Sequence, residues 1–273
     1  MRIFESRLPA KKRCPLIEND KVQHESLRGD YVRFRGYDLY AGHYGHDIFA
    51  AVNDGHGCVT NFRNPITRLL SLYNYFRFNV NLSAEQLLGD RFYPVLFAKS
   101  TSFEQFVSCD DPRIDVYVRN SHFRQLANSC WSLDTTKPFE DVCSFVDSMP
   151  WYYICEYPKL SVAWMHQVFN LNLDEIPRVN VTGNHGGRAK TVSTIDDRTY
   201  RIIHKKNDLD FALYQHAVAR LLTRVHLPRH PRGLGAILES RLQNLAQIFG
   251  AQATIRRKSR HAPQGKCAHI LRR

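Results

Sequence analysis

Residues 57–78, GCVTNFRNPITRLLSLYNYFRF, constrain this chain more than any other stretch. Residues 58–62 are a short run suited to a β-strand, and Asn64-Pro65 follows at once, an N-cap residue ahead of a proline at the first helical position. Ile66, Leu69, Leu70, Tyr73 and Phe76 then recur at helical spacing and predict one apolar face turned to a core. Arg63, Arg68 and Ser71 lie off that stripe, near a helix start whose unbonded backbone N–H groups favour an anion. A strand, a basic turn and a helix in this order make a candidate phosphate seat. An ordinary buried βα junction with solvated arginines fits the same residues.

The rest of the chain supplies elements around that junction. Residues 83–89 and 102–108 read as short helices, the second opened by a capping box of Ser102 and Gln105. Residues 151–157, WYYICEY, are aromatic and β-branched and predict a buried strand closed by Glu156. A core helix is expected over residues 160–170, and another runs toward Lys206 from a cap at Ser193 or Thr194. A further helix covers residues 207–223, with Leu209, Leu213 and Ala217 on its core face. Between them, NVTGNHGGRAK at 180–190 is a glycine-rich loop in which Arg188 and Lys190 bring positive charge, without the spacing of a Walker A loop.

The string FRNPITRLLSLYNYFR resembles the arginine-proline…arginine…serine segment with which PAPS-dependent carbohydrate sulfotransferases hold the 3′-phosphate of 3′-phosphoadenosine 5′-phosphosulfate. The likeness is closest to the branch of heparan sulfate 2-O- and 6-O-sulfotransferases and their bacterial relatives. Gly42-His43 ahead of the strand, RNSHFRQLANSC at 119–130, and Asn207, Asp210, Leu213 and Tyr214 are similar to further segments of that family, so the resemblance covers residues 36–225. It implies an α/β chain with the P-loop-NTPase-like sulfotransferase fold, a central and mainly parallel sheet flanked by helices. It further implies Arg63 and Ser71 as 3′-phosphate ligands, Arg188 and Lys190 as contacts from a loop that closes over the nucleotide, and His43 as the base for an acceptor hydroxyl. His46 is a neighbour with which His43 is easily confused, and the role expected of residues 207–214 is packing. The co-substrate would be PAPS, the acceptor a carbohydrate, and no metal is implied. Residues 1–40 hold nothing like the family's first strand-loop-helix, whose lysine-bearing loop wraps the 5′-phosphosulfate. That leaves two readings, a chain beginning after this motif or a homologue that no longer transfers sulfate.

The organisation expected is a loosely ordered segment over 1–35, a sulfotransferase-like domain over 36–225, and an extension over 226–273 with an amphipathic helix at 236–249 and a basic tail. Residues 251–273 carry seven Lys and Arg and no acid, and without them the formal charge of +12 falls to +5. The net charge therefore speaks for the tail as a polyanion contact more than for the seat. The start of the chain has no apolar h-region and no apolar run reaches membrane-spanning length, which predicts a cytoplasmic protein. Seven scattered cysteines without a C-x-x-C pair predict reduced thiols and no zinc site. A noncatalytic polyanion binder on the same scaffold is the second reading, and a P-loop kinase a weaker third.

Overall fold

The computed structural model describes residues 9–14, 31–42, 45–52, 55–87, 89–129, 131–170 and 189–225. The expectations placed on His43, Arg188, the glycines of residues 180–187, the helix at 236–249 and the basic tail lie outside the described residues. The chain divides into two compact units, Met1–Val225 and His226–Arg273, and every described residue belongs to the first.

This unit is mostly helical around a small parallel sheet, a loose α/β arrangement. Strand β1 (Val59–Phe62) pairs in parallel with β2 (Trp151–Ile154), with Val59 opposite Trp151 and Phe62 opposite Ile154. The Cys155 N–H extends the ladder to the Phe62 carbonyl at 2.9 Å. Parallel strands are stable only when covered, and Phe62, Trp151, Tyr152 and Ile154 are buried. The broad central sheet of the expected fold is reduced, among the described residues, to these two strands.

Helices fill the remainder. In chain order they are α1 (His46–Val52), α2 (Pro65–Asn74), α3 (Ala84–Leu87), α4 (Tyr93–Ser100), α5 (Phe103–Ser108), α6 (Pro112–Val118), α7 (Ser121–Ala127), α8 (Phe139–Ser148), α9 (Pro158–Phe169), α10 (Asp197–Lys206) and α11 (Asp208–Arg224). No helix among the described residues is long and apolar enough to cross a membrane.

Helix α2 begins as its sequence dictates. The Asn64 side chain accepts from the Ile66 N–H at 3.0 Å, and Pro65 takes the first position. Its stripe of Ile66, Leu69, Leu70 and Tyr73 is buried against Phe103, Phe106 and Val107 of α5, Ile114 and Val118 of α6, Ile203 of α10 and Phe211 of α11. Phe76 falls in a wide π-turn over Tyr75–Asn79 and is only partly buried. That turn carries Arg77, whose guanidinium donates to the carbonyls of Ala98, Lys99 and Thr101 and so closes the C-terminal end of α4.

Two expectations are corrected. Helix α10 is capped by Asp196, which accepts from the Thr199 N–H at 2.7 Å, whereas Thr191 and Thr194 close a separate short turn ahead of it. The core face of α11 runs through Phe211, Leu213, Ala217, Val218 and Leu221, with Leu209 only half-buried.

The start of α11 is also not simple packing. Asn120 takes a left-handed conformation, with φ 42° and ψ 43°, directly before α7. Its side-chain oxygen accepts from the Asp210 N–H at 3.1 Å, while Asp210 accepts from the N–H groups of Phe123 and His122 at 2.8 and 3.2 Å. Each helix therefore caps the other. Arg68 of α2 enters the same junction, donating to the carbonyls of Tyr117 and Val118 at 2.9 and 3.1 Å and lying 3.8 Å from the Asp210 carboxylate. Both side chains are nearly or fully out of solvent, at 13% and 0% exposure. Burial lowers the Arg68 pKa, an effect that Asp210 opposes and Arg63 reinforces. Removing one member strands the other charge and two N–H groups, so Asp210→Ala should cost about 3–5 kcal/mol in urea unfolding. Asp210→Asn, which keeps an acceptor oxygen, should lose less.

Candidate functional site

The C-terminal ends of β1 and β2 lie side by side, the edge from which parallel α/β proteins present their ligand-binding groups. Arg63 and Asn64 leave β1 there, and Cys155 and Glu156 leave β2. Glu156 Oε1 accepts from the Asn64 N–H at 3.1 Å and from the Thr67 hydroxyl at 2.7 Å, and its Oε2 accepts from the Tyr214 hydroxyl of α11 at 3.1 Å. Burial beside this carboxylate pushes the Tyr214 pKa up, so the phenol stays protonated and donating.

This alters how an anion could be held. The N-terminus of α2 does not present a row of open N–H groups, because the Asn64 N–H is taken by Glu156 and the Ile66 N–H by the Asn64 side chain. Side chains must do the binding. Arg63 is half-buried, and its Nε donates to Thr67 Oγ1 at 3.3 Å. Its two terminal nitrogens have no hydrogen-bond partner among the described residues, leaving the end of the guanidinium fork unengaged. Arg68, from the same predicted basic cluster, is turned into the core and is not part of the seat.

Ser71 stands four residues beyond Thr67 on the same face of α2. A helical serine normally satisfies its hydroxyl on a carbonyl of the preceding turn. Ser100, Ser108 and Ser144 all do so here, at 3.0, 3.3 and 2.8 Å. The Ser71 hydroxyl makes no such bond among the described residues, although Ser71 is half-buried.

Three residues further along, Asn74 binds the main chain of Lys190 from both sides, donating to its carbonyl at 2.8 Å and accepting from its N–H at 3.0 Å. Lys190, the last residue of the glycine-rich loop, is thereby fastened to α2 one turn beyond Ser71. The Lys190 side chain is exposed and lines an open cleft of about 380 Å³ with Tyr73, Arg77 and residues Ser100, Thr101 and Ser102. Of the residues expected in the site, Ser71 thus lies on α2, Arg63 just ahead of its N-cap, and Lys190 on the chain clasped to it.

Beside Phe62 of β1 stands His122 of α7, its ring edge-on to the Phe62 ring with centroids 6.1 Å apart. Burial pushes its pKa down to about 4; Asp210 opposes the fall, and Arg68 and Arg63 add to it. His46 packs edge-on to Phe145 at 4.9 Å, and burial and Lys137 lower its pKa against the pull of Asp47. Just before it, Gly45 meets the Asn128 carbonyl and the Ser129 Cα so closely that a Cβ would lie 2.7 and 2.6 Å from them. The described glycine that packing demands in this segment is therefore Gly45. Among the described residues no three His, Cys, Asp or Glu side chains converge as a metal site.

Thr67, Glu156, Tyr214 and His122 are the site's unforeseen members. Each carried a sequence signal that pointed elsewhere: Thr67 lies four residues from both Arg63 and Ser71, Glu156 closes the expected strand, His122 falls in the segment 119–130, and Tyr214 in the pattern with Asn207, Asp210 and Leu213. No protein-family model, curated protein or solved structure matches the chain.

The depressed histidine sets a pH dependence. Folded His122 stays neutral to about pH 4, whereas in the unfolded chain it takes up a proton near pH 6.5. Below pH 6.5 the unfolded state therefore binds the extra proton, and stability falls until about pH 4, by at most about 1.4 kcal/mol per pH unit. Replacing His122 with Gln should flatten that part of the stability–pH curve in urea titrations and leave the part above pH 7 unchanged.

Proposed function

We propose that this chain is a PAPS-dependent carbohydrate O-sulfotransferase, built on the P-loop-NTPase-like sulfotransferase fold, in which Arg63 and Ser71 bind the 3′-phosphate of the nucleotide. The observation that carries the reading is the state of those two side chains. Arg63 is held through Nε with its fork open, and Ser71 withholds its hydroxyl from its own helix. A phosphate monoester accepts both kinds of donor, and an arginine fork suits its oxygens. The main-chain clasp between Asn74 and Lys190 adds support, since it fastens the end of the glycine-rich loop beside the same helix.

In the reaction proposed, an acceptor hydroxyl attacks the sulfur in line as the bond from sulfur to the phosphate oxygen breaks. The hydroxyl proton passes to a base, the role assigned by resemblance to His43, and adenosine 3′,5′-bisphosphate leaves. Arg188 and the Lys190 ammonium would offset charge on the nucleotide phosphates. A carbohydrate is the acceptor and PAPS the donor.

A second reading, a sulfotransferase-like chain that binds polyanions without catalysis, is favoured by two sequence facts. Residues 1–40 hold no lysine-bearing phosphosulfate loop, and residues 251–273 concentrate seven cations. Heparin binding that falls steeply with salt and is lost on deleting the tail would support it.

The test is a thermal shift. Adenosine 3′,5′-bisphosphate at about a hundred times its Kd should raise Tm by about 5 °C or more. Arg63→Ala should abolish the shift and Ser71→Ala reduce it; no shift for the natural sequence would sink the reading. Transfer of labelled sulfate from PAPS to a glycan then separates the enzyme from the noncatalytic homologue.

A further inference from the structure

We propose that Glu156 is the positioning residue of the phosphate seat, acting on Arg63 through the hydroxyl of Thr67. This inference rests on Arg63 being a 3′-phosphate ligand, as above.

The Thr67 hydroxyl has one proton and two acceptors within reach, Glu156 Oε1 at 2.7 Å and the Asn64 carbonyl at 3.1 Å. A carboxylate is the stronger acceptor and here the nearer one, so the proton points to Glu156. That leaves the oxygen's lone pairs for Arg63 Nε, 3.3 Å away. Glu156 thus fixes the hydroxyl rotor and holds the Thr67 oxygen where it accepts from the guanidinium. An arginine tethered only at Nε keeps its two terminal nitrogens for a ligand and loses less side-chain freedom when the ligand arrives.

Glu156 is itself held from two further elements. The Asn64 N–H shares Oε1, and the Tyr214 hydroxyl of α11 binds Oε2. The chain of contacts therefore runs from α11, through the end of β2, to α2 and then to the arginine. A cap for α2 would require only the Asn64 contact. Engagement of Thr67 and Tyr214 by the same carboxylate is what ties it to the direction of Arg63.

The experiment compares adenosine 3′,5′-bisphosphate with adenosine 5′-phosphate, which lacks the 3′-phosphate, by calorimetric titration of the full chain. Thr67→Val keeps the shape of the side chain and removes the hydroxyl. It should weaken the bisphosphate about tenfold, the size of one net hydrogen bond, and leave the monophosphate within about twofold. Thr67→Ser should restore binding, and Glu156→Gln, which keeps an acceptor oxygen without the charge, should fall between. A merely structural role would weaken both nucleotides alike, and that result would overturn the proposal. So would bisphosphate binding by Thr67→Val equal to that of the natural chain while Arg63→Ala abolishes it, an outcome that leaves the 3′-phosphate reading standing. Failure of the natural chain to bind the bisphosphate overturns both. Should Thr67→Val not fold, Glu156→Gln and Tyr214→Phe make the same comparison between the two nucleotides.

Discussion

The buried meeting of Arg68 with Asp210 is the contact on which the rest of this structure depends. It joins α2 to the mutually capped starts of α7 and α11, and through the carbonyls of Tyr117 and Val118 to the end of α6. A buried ion pair is weak evidence for stability, because desolvation offsets much of the attraction. Its value here is geometric. Three helix ends have their polar groups satisfied at one point, and α2 can take only one rotation that both sends Arg68 there and buries Leu69 and Tyr73. The face bearing Thr67, Ser71 and Asn74 is then the one left for Glu156 and Lys190.

The same fixing explains why two arginines five residues apart differ in kind. Arg68 is consumed by carbonyls and a carboxylate, whereas Arg63, ahead of the helix, is held at one nitrogen only. Glu156 sits between the backbone and the seat and satisfies the helix terminus that would otherwise attract an anion. In the proposed reading, recognition falls to the Arg63 fork and the Ser71 hydroxyl instead of backbone N–H groups. A site built from side chains depends on what orients them, which is the reason Thr67 and Tyr214 matter to it.

Much of this frame is legible in the chain because it is local. Asn64-Pro65 starts α2 as its chemistry requires, and the apolar spacing of Ile66, Leu69, Leu70 and Tyr73 identifies the buried face. The Ser102–Gln105 capping box forms with both of its hydrogen bonds, at 2.9 and 3.2 Å, and residues 151–154 are a buried strand. What sequence reasoning missed is long-range and polar. Nothing near Arg68 announces that its partners are Tyr117, Val118 and Asp210, and nothing near Asp210 shows that it caps a helix starting at Ser121. Residues 207–214 looked like packing because Leu213 does pack, while the polar members Asn207 and Asp210 are buried for their hydrogen bonds. Helix α4 is likewise settled by its contacts with α5, α6 and the turn at Tyr75–Asn79 more than by its own periodicity, as the mixed faces of Tyr93–Ser100 indicate.

The central claim is that Arg63 and Ser71 are kept open for one phosphate, and it is tested most directly by a crystal structure of the chain with adenosine 3′,5′-bisphosphate. The expected result places the 3′-phosphate within about 3 Å of the Arg63 terminal nitrogens and of Ser71 Oγ, with the Arg63–Thr67–Glu156 contacts retained. A nucleotide bound elsewhere, or a 3′-phosphate that touches neither side chain, would contradict it.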